Sequence, residues 1–172
     1  MSKVKNLAYI GLMSAIMCIL SPITIPLGGG VGITLGIFVI LFMTYVLGMG
    51  RALICYGIYL LLGLVGLPVF AGFQGGIGVL FGPTGGFLVG YVAIIISVGI
   101  MLRIKEKRLF IVIGSVIGLL LCYLLGSLWY MHVMHVTFVS ALWMCVIPFV
   151  AFDGIKVAAV CAIGPPCKNR VK

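Results

Sequence analysis

The sequence predicts an all-α integral membrane protein with six transmembrane helices, and three observations predict it. Of 172 residues, 64% are hydrophobic and 8% are charged, with a mean hydropathy of +1.41. A soluble domain carries about 25% charged residues, so this chain lacks the polar side chains to cover a water-facing surface and belongs in a bilayer. Its length holds about six spans of ~20 residues with short connections. Ten of the eleven basic residues fall in four groups: Lys3 and Lys5; Arg51; Arg103, Lys105, Lys107 and Arg108 beside Glu106; and Lys168, Arg170 and Lys172. These groups lie before, between and after pairs of apolar segments. Cytoplasmic flanks collect Lys and Arg, so both termini are expected in the cytoplasm and the protein in the cell membrane. The same placement explains the net charge of +9 without a nucleic-acid partner.

The expected spans are 6–26, 32–49, 52–66, 84–102, 109–128 and 142–164, forming one membrane domain over residues 1–172. The first apolar run, Leu7 to Leu20, flows into Ser21-Pro22 with no signal-peptide cleavage pattern and reads as a retained helix. The outer connections, 27–31, 67–83 and 129–141, contain no Lys, Arg, Asp or Glu. Small residues recur four apart: Gly11 and Ala15; Gly28, Gly32 and Gly36; Gly82, Gly86 and Gly90; Gly114, Gly118, Cys122 and Gly126. Residues four apart share a helix face. In lipid, close backbone packing at such faces carries helix association, so these are expected grooves for neighbouring helices.

The outer stretch "GLPVFAGFQGGIGVLFGPTGG" is too rich in Gly for a stable span and too apolar for a free loop. Non-helical backbone near membrane depth is tolerated where protein buries it or a cavity lies beside it. This Gly/Pro-rich loop between the third and fourth spans is therefore expected to cap a ligand pocket. Gln74 and Thr84 are its polar side chains, and Phe70, Phe73 and Phe81 its apolar walls, with Tyr91 just inside the following span. Aromatic walls with a few fixed polar groups are the usual form of a small-molecule site. Gly82, Pro83 and Gly85 are expected to shape the mouth, and a positive φ at Gly85 would suit such a turn.

The last span reads "IPFVAFDGIKVAAV" and carries Asp153 and Lys156. A mid-bilayer charge costs about 2.5–3.5 kcal/mol on insertion scales and marks a functional site by default. Three residues apart, the two can pair on one helix face. Pro148 bends this helix or marks its start. His132 and His135 form an HxxH beside Trp129 and Tyr130, but with no third ligand nearby they read as part of an interfacial aromatic belt, not a metal site. The six cysteines form no CxxC and read as buried small hydrophobes. No Walker A motif is present, so the chain cannot drive itself with ATP.

"GLPVFAGFQGGIGVLFGPTGGFLVGY", followed some sixty residues later by "PFVAFDGIKVAAV", resembles the BioY family, the biotin-specific substrate-binding (S) components of energy-coupling-factor (ECF) transporters. The resemblance covers most of the chain. It implies capture of external biotin without catalysis or a cofactor. It implies docking on a transmembrane coupling protein with two ATPases, and toppling in the membrane to release biotin inside. It further implies that the first helix meets the coupling protein, here through Ala8, Gly11 and Ala15. As chemistry this fits: Asp153 can accept the ureido N–H bonds of biotin, and Lys156 can donate to its ureido carbonyl or its carboxylate. The alternatives are an S component for another vitamin, or an intramembrane enzyme using Asp153 with His132 or His135.

Overall fold

A computed structural model describes residues 3–26, 31–104 and 108–171, with the side chains of 169–171 left aside. Gly28, Lys105, Glu106, Lys107 and Lys172, and most of the 27–31 connection, lie outside the described residues. The chain is mostly helical. Helix α1 (Lys3–Leu20) leads into a small antiparallel hairpin of β1 (Thr24–Pro26) and β2 (Gly32–Thr34), paired Thr24 to Thr34, Ile25 to Ile33 and Pro26 to Gly32. Then come α2 (Gly36–Leu47), α3 (Met49–Leu64), a single 3-10 turn at Ala71–Phe73, α4 (Gly78–Phe81), α5 (Gly85–Ile104), α6 (Arg108–Met134), α7 (Phe138–Cys145) and α8 (Ile147–Val171).

Four described helices, α1, α5, α6 and α8, are long and apolar enough to cross a membrane. Helices α2 and α3 are apolar but have 12 and 16 residues, about 18 and 24 Å of rise. Several expected boundaries move, each for a local reason. The first span does not run to residue 26: α1 stops at Leu20, because Pro22 has no N–H to continue the ladder. The second does not begin at residue 32, because Gly32 pairs in β2; Gly32 and Gly36 therefore do not share a helix face. Helix α6 runs on through Trp129 to Met134, since nothing in that stretch breaks a helix, and ends where His135 takes φ 53°. The sixth span divides at Val146 into α7 and α8. Pro148 sits in the first turn of α8, where its missing N–H costs nothing.

The small-residue faces of α5 and α6 meet, but Gly82, which the spacing groups with Gly86 and Gly90, lies before α5 in extended backbone and is not on that face. A Cβ added at Gly90 would lie 2.8 Å from Cys122 Cα, one at Gly118 would lie 2.7 Å from Ile94 Cα, and one at Gly114 would lie 2.9 Å from Val98 Cα. Gly126 faces the Phe87 ring, and Gly86 faces Trp129. The backbones touch, and Ser97 Oγ donates across the seam to Gly114 O at 3.0 Å. Helix α8 packs on α2: its Gly164 lies against the Tyr45 ring, over which Lys168 Nζ stands at 5.0 Å. By contrast Ala8, Gly11 and Ala15 of α1 all face outward, with nothing within 4 Å of a Cβ at Gly11.

Gly118→Leu is accordingly expected to lower stability by roughly 1–3 kcal/mol or more, because the bulk has no room to go. Gly11→Leu is expected to leave stability unchanged. Thermal unfolding of the two variants in detergent compares them directly.

Candidate functional site

A cavity lies where α2, α3 and α5 meet the hairpin and the cap, the segment between α3 and α5. Its walls are Val31, Gly32 and Thr34 around β2, Ile37 of α2, Tyr59 of α3, and Phe87, Leu88 and Tyr91 of α5, with Ser21, Phe70, Ala71, Val79 and Thr84 closing it. The cavity is small, about 40 Å³, well below the ~300–1,000 Å³ of small-molecule sites, so its walls stand close together. The lining is apolar with hydroxyls at fixed points. Tyr59 Oη and Ser21 Oγ hydrogen-bond at 2.8 Å, and Thr34 Oγ1 lies 3.5 Å from Tyr91 Oη. Tyr56 locks the wall from behind by donating to Leu88 O at 2.6 Å. Its ring meets those of Tyr59 and Tyr91 at 5.8 and 6.1 Å.

The cap is built by glycine where bulk cannot go. Phe70 is buried edge-on against Tyr59, with ring centroids 5.5 Å apart, and its ring fills the notch left by Gly63. The chain turns through positive φ at Gly66, Gly72 and Gly76, which glycine adopts without strain. Gly76 N donates to Gly63 O at 2.7 Å, and Gly72 N reaches Pro22 O and Thr24 Oγ1, both at 3.1 Å. Gly85 does not have the positive φ anticipated for it; it opens α5, and its constraint is space, since a Cβ there would strike Leu80 O.

Two outer clefts adjoin the cavity. One runs between the hairpin and Ala71, Gly72 and Gln74; the other lies among Gln74, Gly75, Gly78, Val79, Gly82 and Pro83. Thr84 borders both clefts and the inner cavity. Phe70, Thr84 and Tyr91 thus gather at the cavity, and Gln74 lines the outer clefts. Phe73 and Phe81 were expected as walls, but their side chains are 67% and 68% exposed. The chain reverses at Gly72 and Phe73 (φ 59°), which leaves Phe73 on the outer surface.

Asp153 and Lys156 are both buried in α8 and form an ion pair of 2.7 Å between Nζ and Oδ1. Tyr123 of α6 donates to the other oxygen, Oδ2, at 2.5 Å. Both carboxylate oxygens are therefore satisfied, as a charge in low dielectric requires. Neither Asp153 nor Lys156, nor Tyr123, is among the residues that line the cavity. Tyr123, Tyr59, Ser21 and Thr34 were not singled out in the sequence. A signal for Tyr123 existed only in part: a phenol on the buried face of an otherwise oily span needs a partner, but the sequence does not say which. His132 is nine residues beyond Tyr123, about 13 Å along α6, so the two histidines and Asp153 are not assembled together. Among the described residues, no three His, Cys, Asp or Glu side chains gather as metal ligands.

The family model of the BioY family matches residues 1–172. The chain belongs to the BioY family. The biotin transporter BioY of Thermotoga maritima is 37% identical over 164 residues, covering 92% of this chain and 94% of that protein. Biotin transporter BioY2 of Lactococcus lactis subsp. cremoris is 38% identical over 165 residues, covering 95% and 90%. Among solved structures, the crystal structure of the S-component for biotin from an ECF-type ABC transporter superposes with a TM-score of 0.88 at 26% identity, covering 100% of this chain and 95% of that one. As a BioY family member, this chain is a membrane protein of a transporter family and not an enzyme.

Removing one partner of the buried pair should cost more than removing both. Lys156→Met alone is expected to destabilise by roughly 3–5 kcal/mol by leaving a carboxylate uncompensated. The double variant Asp153→Leu/Lys156→Met should lose less than the sum of the singles, and Tyr123→Phe about 1.5–3 kcal/mol. Unfolding in detergent, arranged as a double-mutant cycle, measures the coupling; additive losses would show that the pair does not interact.

Proposed function

We propose that this chain is the biotin-binding S component of an ECF-type vitamin importer, capturing external biotin for delivery to the cytoplasm. What carries the reading is the buried Asp153–Lys156–Tyr123 group in a chain that also holds an apolar, aromatic-walled cavity and whose relatives are named biotin transporters. Biotin has an apolar bicycle and chain with polar groups at both ends. The rings of Phe70 and Tyr91 offer its apolar parts a wall, Thr84 and Gln74 offer polar contacts along the way in, and Phe73 flanks the mouth from outside. Asp153 accepts from the ureido N–H groups. Lys156 donates to the ureido carbonyl or the carboxylate, and a carboxamide derivative of biotin distinguishes the two. In binding, Asp153 exchanges part of its contact with Lys156 or Tyr123 for the ligand, so the pair is a preorganised donor–acceptor set.

The reading includes a single membrane domain of six crossings over residues 1–172. Helices α2 and α3 supply the second and third, extended by β2 and by the residues after Leu64. Both termini then lie in the cytoplasm of a cell-membrane protein, in line with the positive-inside distribution. The partners are a transmembrane coupling protein and two ATPase subunits, which supply the ATP-driven step. Helix α1 suits that docking because Ala8, Gly11 and Ala15 present a bare face to the outside, and small residues let a second helix approach closely.

Calorimetric titration of the purified protein with biotin, with thiamine and riboflavin as competitors, tests the ligand. Biotin alone should bind; no binding, or displacement by another vitamin, refutes the reading. Asp153→Asn and Lys156→Ala should each weaken biotin binding by ~2–5 kcal/mol, and wild-type affinity in both would reduce the pair to a structural staple.

Gly11→Leu or Ala15→Leu should abolish cellular biotin uptake while sparing binding by the purified protein. Recovery of the coupling protein in a pull-down with either variant, together with uptake, checks this. Undiminished recovery with normal uptake would remove the face from the interface.

A further inference from the structure

The corner "FGPTGG" is held from outside the cap by one side chain. Trp129, half-buried near the end of α6, donates its indole Nε1–H to Gly82 O at 3.0 Å. The same carbonyl accepts Gly85 N at 3.1 Å, so both of its lone pairs are used. The indole lies over the start of α5: a Cβ at Gly85 would be 3.0 Å from Nε1, and one at Gly86 would overlap Trp129 itself. Neither glycine has a positive φ, so their smallness serves the indole and the Leu80 carbonyl, not a turn. Pro83 follows Gly82 and fixes the next φ. Two residues after the held carbonyl comes Thr84, the residue common to the inner cavity and both outer clefts, whose own carbonyl accepts Phe87 N and Leu88 N at the start of α5.

We propose that Trp129 is a positioning residue of the ligand site: by holding the Gly82 carbonyl it fixes Thr84 at the throat between the outer clefts and the inner cavity, and so sets how fast ligand passes. The inference rests on the biotin reading for its ligand but not for its geometry. The rest of the cap is tied to α3 and to the β1–β2 hairpin, through Gly63 O, Pro22 O and Thr24. The indole bond ties it to the α5–α6 pair instead, whose backbones touch. Trp129 is not among the residues bordering the cavity or either cleft, so losing its N–H removes no wall. What it removes is the constraint on the corner that separates inside from outside. A loosened throat lowers the barrier for passage in both directions and leaves the bound-state contacts in place. The rates therefore change more than the equilibrium.

Trp129→Phe keeps a ring over Gly86 and deletes the donor. Stopped-flow binding of biotin should show association and dissociation both faster by about tenfold, with Kd within about threefold of the unaltered protein. Hydrogen exchange of the ligand-free variant should be faster at the amides of 85–88 and unchanged along α8. Rates within twofold of the unaltered protein, or a Kd weakened by loss of association alone, would overturn the proposal. The exchange measurement needs no ligand. Failure of the unaltered protein to bind biotin would refute the biotin reading, while equal exchange at 85–88 would refute the pin.

Discussion

The contact between α5 and α6 is the constraint on which the rest depends. Lipid offers no hydrophobic force to bring two oily helices together, so their association rests on how near the backbones can come. Gly90 against Cys122, Gly118 against Ile94 and Gly114 against Val98 bring them to touching distance. The site hangs from this pair on both sides. Helix α5 carries Thr84 at its threshold, and Leu88 and Tyr91 on the cavity wall. Helix α6 carries Tyr123 to the carboxylate of Asp153. A shift of one helix along the other would move the cavity wall relative to the buried charges, and the seam's lack of slack opposes that shift.

The buried charges show which term wins in their own neighbourhood. Taking two ions out of water costs several kcal/mol each, and apolar residues of the same size are often as stable or more so. Here the attraction at 2.7 Å and the Tyr123 hydrogen bond offset that cost without explaining why the charges are there. On the proposed function, the carboxylate and the ammonium are kept for the ligand with which they can exchange partners. The cap follows a different rule. Its conformations at Gly66, Gly72 and Gly76 exclude side chains by backbone sign, whereas Gly63, Gly85 and Gly86 exclude them by neighbours.

Much of this was legible in the sequence, for identifiable reasons. Small residues four apart report a helix face directly, so the α5–α6 seam could be read from Gly86 to Gly126. Asp153 and Lys156 announced themselves because charge in lipid needs an excuse, and three-residue spacing made their pairing foreseeable. Gly32 misled because spacing alone cannot tell a helix face from a strand; it pairs with Pro26. Phe73 misled because apolarity says nothing of direction, and a left-handed residue at that point sends the chain outward. Tyr123 and Trp129 were not legible as partners: each acts across more than twenty residues of sequence, through a bond whose other end is an unremarkable carbonyl or a carboxylate already accounted for.

One consequence follows from Asp153 and Lys156 standing on a single turn of α8. A pair divided between two helices would come apart whenever those helices moved against each other, and each ion would then face hydrocarbon alone. Here the positive and negative ends ride on the same rigid rod. However the chain tilts or turns relative to the bilayer normal, it carries a closed dipole, never a separated charge. The electrical work of reorientation is thus kept small by the arrangement of two side chains, and the helix is free to change its angle without first finding new counterions.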